Sequence, residues 1–196
     1  PCWIIAAKYD IDLVNLYAAQ GFAQTDPSRI YAYNGSLGRY FYGPFSLVVF
    51  GPLAWFEFAT VKAIWIGLQT ASYVAFWYLF YCLYPRLCES KAWLGWLAVF
   101  ILAINPIHNN FQSNNIQLML GVLILLAEWW SQSLSTRKQF AAGVVLSFAA
   151  AIKVFPLFIC AYYLLTKSAR VRQGVLAGGL FTLIIPVAVF GFPTTG

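Results

Sequence analysis

Charged residues are scarce in this sequence. Only 9% of its 196 residues are Asp, Glu, Lys or Arg, against about a quarter in a typical soluble domain. Since 61% are hydrophobic, this composition argues strongly against a soluble fold. No Gly-x-Gly-x-x-Gly motif and no P-loop occurs, so nothing indicates a nucleotide-binding domain. The net charge of +6 is not gathered into a basic patch with interleaved aromatics, and we predict no nucleic-acid partner.

Residue types that bind metals are scarce as well. The four cysteines, Cys2, Cys82, Cys88 and Cys160, form no Cys-x-x-Cys or Cys/His spacing, so we interpret them as packing residues. His108 is the only histidine, and carboxylates are distant from it in sequence, which argues against a zinc site. We therefore predict no metal site and no cofactor, with a bound divalent metal as the alternative.

Apolar runs make up most of the chain. Six runs are candidate transmembrane helices once their polar flanks are counted, namely residues 61–84, 92–104, 116–130, 140–152, 154–165 and 175–190. Aromatic residues, 19% of the chain, often lie near the ends of these runs, as they do at membrane interfaces. Residues 45–56 form a shorter run flanked by Pro44 and interrupted by Pro52, which suits an interfacial or re-entrant helix.

These runs predict an all-α fold. It is a polytopic membrane helical bundle with about six transmembrane helices and an interfacial helix in the first extracytoplasmic loop. We expect one transmembrane domain over residues 1–196, with the extracytoplasmic loop at 1–60 and the membrane helices at 61–196. The sequence opens at Pro1 without a Met or a signal peptide and ends at Gly196, so we expect it to be a fragment of a longer protein.

Basic loops predict the orientation in the membrane, because cytoplasmic loops are enriched in Lys and Arg. Three such loops are residues 86–91, Arg137 with Lys138, and Lys167 with Arg170 and Arg172. If each of the six runs crosses once, all three loops lie in the cytoplasm, provided that residues 45–56 do not cross. The first 60 residues, the loop 105–115 and Lys153 then lie on the extracytoplasmic face. We predict a multi-pass protein of the cell inner membrane.

Two aspartates lie close together near the start of the chain. Asp10 and Asp12 belong to the predicted extracytoplasmic loop, where a carboxylate beside a membrane cavity could accept a proton from an attacking hydroxyl. Their spacing of two points them to different faces of a helix, so we expect one general base and not a carboxylate pair. The alternative for either residue is a helix cap or an interfacial charge.

Two cations are candidates for binding an anionic head group on the same face. Lys153 interrupts the apolar sequence AAAIKVFPLF, and Pro156 cannot continue a helix, so we predict a hairpin tip at Lys153. A lysine there could neutralise an anionic lipid head group, as lysines do for phosphates, or could simply reach the membrane surface. Arg39 could pair with phosphate or anchor the interfacial helix.

Amide side chains are concentrated around His108. The stretch NPIHNNFQSNNIQ holds five asparagines and two glutamines in thirteen residues. Amides offer both donors and acceptors to sugar hydroxyls, but they also suit loop turns and caps. The predicted contacts to the sugar or the acceptor are Asn109, Asn114, Asn115 and Gln117, with Tyr40 from the loop before them. His108 could act as a base or contact phosphate.

Four features occur in a familiar order along the chain. They are a first-loop Asp before Tyr17-Ala18-Ala19, a Tyr-rich stretch before a Pro-containing apolar helix, an amide motif opening a later helix, and a basic loop before GVVLSFAAAIKVFPLFICAYYLL. Together they resemble glycosyltransferase family 87, which contains polyprenyl-phosphate-mannose-dependent mannosyltransferases of the GT-C class. The strongest match is 143–165, where a small-residue helix ends at Lys153 and Pro156 begins the return.

This resemblance implies a GT-C bundle and an inverting hexosyltransferase. The hexose, expected to be mannose, would move from a polyprenyl-phosphate donor to a lipid or glycan acceptor on the extracytoplasmic face. The register of Tyr17-Ala18-Ala19 favours Asp12 over Asp10 as the base. Lys153, with Arg39 or His108, would hold the charge of the departing phosphate.

The alternative function is a polytopic transporter or lipid flippase, whose polar groups would also cluster at a membrane cavity. Such a protein would have charges buried within its spans and broken helices in two related halves. This sequence instead has Asp10 and Asp12 in a loop and shows no second half. A structural membrane subunit is a third interpretation, and it predicts that replacing Asp12 has no effect.

Overall fold

The computed structural model describes residues 11–25, 42–85, 95, 107–111 and 113–191. Within these residues every regular element is helical, which confirms the all-α prediction for the part of the chain described. The elements are α1 (Ile11–Thr25), α2 (Pro44–Phe50), a 3₁₀ helix (Gly51–Trp55), α3 (Phe58–Leu83), α4 (Gln117–Ser131), α5 (Thr136–Ile152), α6 (Leu157–Thr166) and α7 (Ala169–Phe190).

Five of the six apolar runs correspond to the helices α3 to α7, and the run 92–104 lies almost wholly outside the described residues. Helices α5 and α7 begin several residues before their apolar runs do. The reason is that Arg137 with Lys138, and Arg170 with Arg172, occupy their first turns. Hydrophobic periodicity does not register such a polar first turn.

Two of these helices are long and apolar enough to cross a membrane, α3 with 26 residues and α7 with 22. Only 17% and 28% of their apolar windows are buried inside the protein. The core helix of a soluble protein would be mostly buried, whereas Val74, Leu180 and Leu183 are each more than half exposed. Apolar surface of this kind fits contact with lipid. Helices α4 and α6 are shorter apolar segments.

Small residues bring α5 and α7 into close contact. A Cβ atom added at Gly143 would collide with the backbone of Val171, and one added at Gly174 would collide with Phe140. The hydroxyl of Ser147 donates a hydrogen bond across the interface to the carbonyl of Val175, 2.8 Å away. Small residues and interhelical hydroxyl bonds of this kind drive helix pairing in membranes, where the hydrophobic effect contributes little.

The two ends of the helical bundle differ in their polar residues. At one end, Lys167 forms a 2.8 Å ion pair with Glu128, which joins the end of α6 to the end of α4. Nearby, Ser168 donates a hydrogen bond of 2.8 Å to Gln139 in the first turns of α5. The basic residues at the starts of α5 and α7 therefore share this end. The turn at Lys153 lies at the opposite end of α5.

A tight turn connects α5 to α6, and it confirms the predicted hairpin. Helix α5 ends at Ile152, Lys153 is extended with φ −142° and ψ 137°, and Pro156 caps α6. The thiol of Cys160 contacts the carbonyl oxygen of Leu146 at 3.8 Å, so α6 runs back along α5. Pro156 lacks the N–H that a continuous helix would need at that position.

Candidate active site

Asp12 lies in the first turn of α1. The buried residues Leu13, Leu16, Ala19 and Ala23 recur every three or four positions and fix one face of α1 against the core. The first N–H groups of a helix have no partner within the helix. The N–H of Asp12 finds one outside, because it donates a 3.3 Å hydrogen bond to the carbonyl of Ser113 in the amide-rich loop. Two distant parts of the chain therefore meet at Asp12.

The carboxyl group of Asp12 is partly buried and lies within the electrostatic influence of Lys153. Burial raises the pKa of the Asp12 carboxyl above its usual range, and the positive charge of Lys153 opposes that rise. Loss of water around a carboxylate destabilises its charged form, which makes it a stronger proton acceptor than an exposed aspartate. A carboxylate in this state is suited to general-base chemistry.

Lys153 extends from the hairpin turn over the ring of Tyr42. Its Nζ lies 5.4 Å from the ring centroid, in the geometry of a cation–π contact. Tyr42 is 6% exposed, so its ring is fixed by the core. The side chain of Lys153 remains half-buried, and Val154 and Phe155 beside it are exposed. The ammonium group thus lies beside an apolar surface.

The turn that carries Lys153 is fixed by α2. The N–H of Gly43 donates a 3.0 Å hydrogen bond to the carbonyl of Ile152, the last residue of α5. A Cβ atom at Gly43 would collide with the carbonyl of Ala151, so only glycine allows this approach. Phe45 then contacts Phe148 with ring centroids 5.2 Å apart. The predicted interfacial segment 45–56 is thus an α-helix followed by a 3₁₀ helix, with Phe45 and Leu47 buried.

Within the amide-rich loop, some side chains point into the protein. Asn114 is 4% exposed and has a left-handed φ of 49°, a conformation that asparagine tolerates better than most residues. Its Oδ1 accepts a 3.1 Å hydrogen bond from Gln69, and its carbonyl oxygen accepts one of 2.9 Å from the indole of Trp65. Asn115 is half-buried, and its Oδ1 caps the N–H of Gln117 at 3.1 Å.

Other predicted site residues in this loop face outwards. His108, Asn109 and Gln117 have exposed side chains, and they lie on the same polar segment that contacts Asp12 through Ser113. The carbonyl of Asn109 accepts a 2.7 Å hydrogen bond from the Ser113 hydroxyl, which tightens the turn. The predicted residues Asp10, Arg39 and Tyr40 lie outside the described residues.

Sequence reasoning did not identify Gln69, Trp65 or Tyr42. Gln69 is a lone amide within the otherwise apolar middle of α3, fully buried, and such a residue signals a specific partner. Trp65 precedes it by one helical turn, so both face the loop. No feature of the sequence pairs Tyr42 with Lys153, because their contact depends on the approach of Gly43 to α5.

No cluster of three or more His, Cys, Asp or Glu side chains that could hold a metal occurs among the residues described. Asp12 is instead influenced by the charge of Lys153 and contacts the amide-rich loop through the carbonyl of Ser113. A lysine and amides can bind an anion and orient hydroxyls, and the carboxylate can accept a proton.

Comparison with known proteins gives one match. The model of glycosyltransferase family 87 matches residues 40–195, which covers Lys153 and the whole amide-rich loop, while Asp12 precedes the matched range. No curated protein and no solved structure matches the chain. The resemblance drawn from the sequence motifs is therefore confirmed over most of the chain. This chain belongs to glycosyltransferase family 87 and is a membrane glycosyltransferase.

Proposed function

We propose that this enzyme transfers a hexose, mannose, from a polyprenyl-phosphate donor to a hydroxyl of a lipid or glycan acceptor, with inversion at the anomeric carbon. The family supplies the reaction class. The observation that carries the rest is that Leu13, next to Asp12, packs in one core cluster with Tyr42 and Ile152, the residues beside Lys153. In this arrangement the lysine charge acts on the partly buried carboxyl group of Asp12. The carboxylate of Asp12 can accept a proton, and the ammonium group of Lys153 can bind a phosphate.

In this proposal the acceptor hydroxyl is the nucleophile. Asp12 takes its proton as the oxygen forms a new bond to the anomeric carbon, while the bond from that carbon to the phosphate oxygen breaks. The electron pair of the broken bond leaves with polyprenyl phosphate, and Lys153 stabilises the charge that develops there. Attack opposite the leaving group inverts the configuration, so no covalent sugar–enzyme intermediate forms. The proposed reaction uses no cofactor, and a divalent metal at the departing phosphate is the alternative.

Lys153 is well suited to a lipid-linked phosphate. The cation–π contact with Tyr42 limits its freedom, and the exposed apolar residues Val154, Phe155, Leu157 and Phe158 follow it directly. A lipid phosphate has a charged head group followed by an apolar chain. This matches the order of Lys153 and the exposed apolar residues after it. Arg39 and His108 are proposed as further phosphate contacts.

The outward-facing amides are the proposed contacts to the sugar or the acceptor. Asn109 and Gln117 have exposed side chains, and each offers a donor and an acceptor to hydroxyl groups. Tyr40 is proposed as a third contact. The side chains of Asn114 and Asn115 already form hydrogen bonds within the protein, so we propose that they fix the conformation of the loop that forms the site.

The enzyme is proposed to be a multi-pass protein of the cell inner membrane with its active site on the extracytoplasmic face. The six spans of this proposal are α3 to α7 and the run 92–104, with α2 as the interfacial helix. The support for this orientation is that the basic first turns of α5 and α7 lie at one end of the bundle and the turn at Lys153 lies at the other. Because cytoplasmic loops are rich in Lys and Arg, the end with Lys153 faces outwards.

The decisive test is transfer of labelled mannose from polyprenyl-phosphate-mannose to acceptors in membranes that hold the full-length protein. We expect Asp12→Asn to lower the rate by about 10² to 10⁴, the usual contribution of a general base. Glu57→Gln is the matched control, because it neutralises an exposed carboxyl at the start of α3. Equal rates for Asp12→Asn and wild type would move the base to Asp10 or His108. No transfer by either protein would favour another donor or a transporter.

A further inference from the structure

Gln69 holds a buried amide group deep within α3. It is fully buried, and at 1.5 Å per residue it lies about 16 Å along the helix from Phe58. That distance is about half the thickness of the hydrocarbon core of a bilayer. A carboxamide at this depth is costly unless its donors and acceptor are bonded, so its partners identify its purpose.

The partners of Gln69 are two asparagines of the amide-rich loop. Its Nε2 donates to Asn114 Oδ1 at 3.1 Å, and its Oε1 accepts from Asn110 Nδ2 at 3.3 Å. One turn earlier, Trp65 donates its indole N–H to the Asn114 carbonyl at 2.9 Å. Gln69 and Trp65 thus bind the loop from one face of α3.

The same loop is tied to α4 and to α1. Asn110 Oδ1 accepts the N–H of Leu118 in the first turn of α4 at 3.2 Å, and its carbonyl accepts the N–H of Asn115 at 3.0 Å. Ser113, next to Asn114 in the chain, accepts the N–H of Asp12 at 3.3 Å. A continuous set of hydrogen bonds and chain connections therefore runs from Gln69 to Asp12.

We propose that Gln69 is a positioning residue for the reacting centre. It fixes the loop through Asn114 and Asn110, and the loop fixes the first turn of α1 through the carbonyl of Ser113. Gln69 touches no reacting atom in this proposal, which rests on the proposed role of Asp12 as the base. Replacing Gln69 with an apolar residue would remove one hydrogen bond from each of the two buried asparagine side chains and release the loop.

Two measurements on the full-length protein test this proposal. The first is steady-state transfer from polyprenyl-phosphate-mannose by purified Gln69→Leu. We expect kcat to fall by about 10- to 100-fold with the donor KM unchanged, because small displacements of a catalytic group cost that much. The matched control is Gln132→Leu, the same substitution at an exposed position after α4.

The second measurement reports position and does not require activity. Asp12→Cys and Ser113→Cys are introduced together into a protein without other cysteines. Their backbone hydrogen bond brings the two residues within the reach of a disulfide. We expect the disulfide to form about tenfold more slowly when Gln69→Leu is added, since cross-linking depends on this proximity. Gln132→Leu should leave the rate unchanged.

The outcomes separate the two proposals. An unchanged cross-linking rate in Gln69→Leu overturns the positioning role, whatever happens to kcat. Slower cross-linking, with full activity in Asp12→Asn, supports the hold of Gln69 on the loop and α1, but it overturns Asp12 as the base and with it the catalytic purpose of that hold. If Gln69→Leu fails to fold, Gln69→Met replaces it, because the unbranched Met side chain fills a similar space and lacks the amide that bonds Asn114 and Asn110. Unchanged cross-linking in Gln69→Met then overturns the proposal.

Discussion

The N–H of Gly43 donates a hydrogen bond to the carbonyl of Ile152, 3.0 Å away, at the point where the chain turns towards Lys153. This contact joins the start of α2 to the end of α5. It also brings Tyr42 beneath the ammonium group of Lys153. The position of the proposed phosphate-binding lysine therefore depends on a glycine more than a hundred residues earlier in the sequence.

Gly43→Ala should separate α2 from α5, because the added Cβ would collide with the carbonyl of Ala151, a backbone atom that cannot move aside. We expect a loss of stability of about 1–3 kcal/mol, typical of overpacking. The measurement is thermal unfolding in detergent, together with the KM for the donor, which should rise as Lys153 moves. Gly67→Ala is the control, since nothing lies within 4 Å of its new Cβ. Equal behaviour of the two variants would contradict the close contact.

Transfer should depend on pH through Asp12, which must be ionised to accept a proton. Because burial raises the pKa of Asp12 in the free enzyme, we expect kcat/KM to rise with pH through a midpoint above the usual range for aspartate. Lys153 lowers that pKa, so Lys153→Met should move the midpoint to higher pH and weaken donor binding. The measurement is a profile of kcat/KM against pH, with Lys138→Met at an exposed site as the control. A midpoint unmoved by Lys153→Met would mean that the two groups do not interact.

Neighbouring glycines in α7 provide a test of helix packing. A Cβ atom at Gly178 would approach the Cβ of Ser147 to 2.9 Å, whereas one at Gly179 meets nothing within 4 Å. Gly178→Ala should therefore destabilise the pair of α5 and α7 by about 1–3 kcal/mol. Gly179→Ala should be neutral or stabilising by up to about 1 kcal/mol, because alanine is the better helix former. Thermal unfolding of both variants in the same detergent would reveal the difference, and its absence would contradict this packing.

The proposed orientation can be measured with single cysteines. Val154→Cys lies at an exposed position beside Lys153, and Leu134→Cys lies at a fully exposed position in the loop between α4 and α5. In right-side-out membrane vesicles, a maleimide that cannot cross membranes should label Val154→Cys and spare Leu134→Cys. Inverted vesicles should show the opposite pattern. Labelling of Leu134→Cys from outside would reverse the orientation and the proposed face of the active site.

The helical fold could be predicted well from the sequence. Hydrophobic runs identified five described helices to within a few residues, and Pro156 after Lys153 predicted the hairpin between α5 and α6. The early starts of α5 and α7 were not predicted, since their first turns carry Arg and Lys and lack apolar periodicity. The motifs also led to the correct family, whose model matches residues 40–195.

What the sequence by itself determined is the class of protein, because composition and apolar run length depend only on local residues. What only the tertiary structure decided is which polar groups meet. The charge of Lys153 acts on Asp12 although the two are distant along the chain, and Gln69 in α3 bonds Asn114 in the amide-rich loop, so both interactions depend on how the helices pack. Side-chain direction then separated the inward Asn114 from the outward Asn109, which composition alone cannot distinguish.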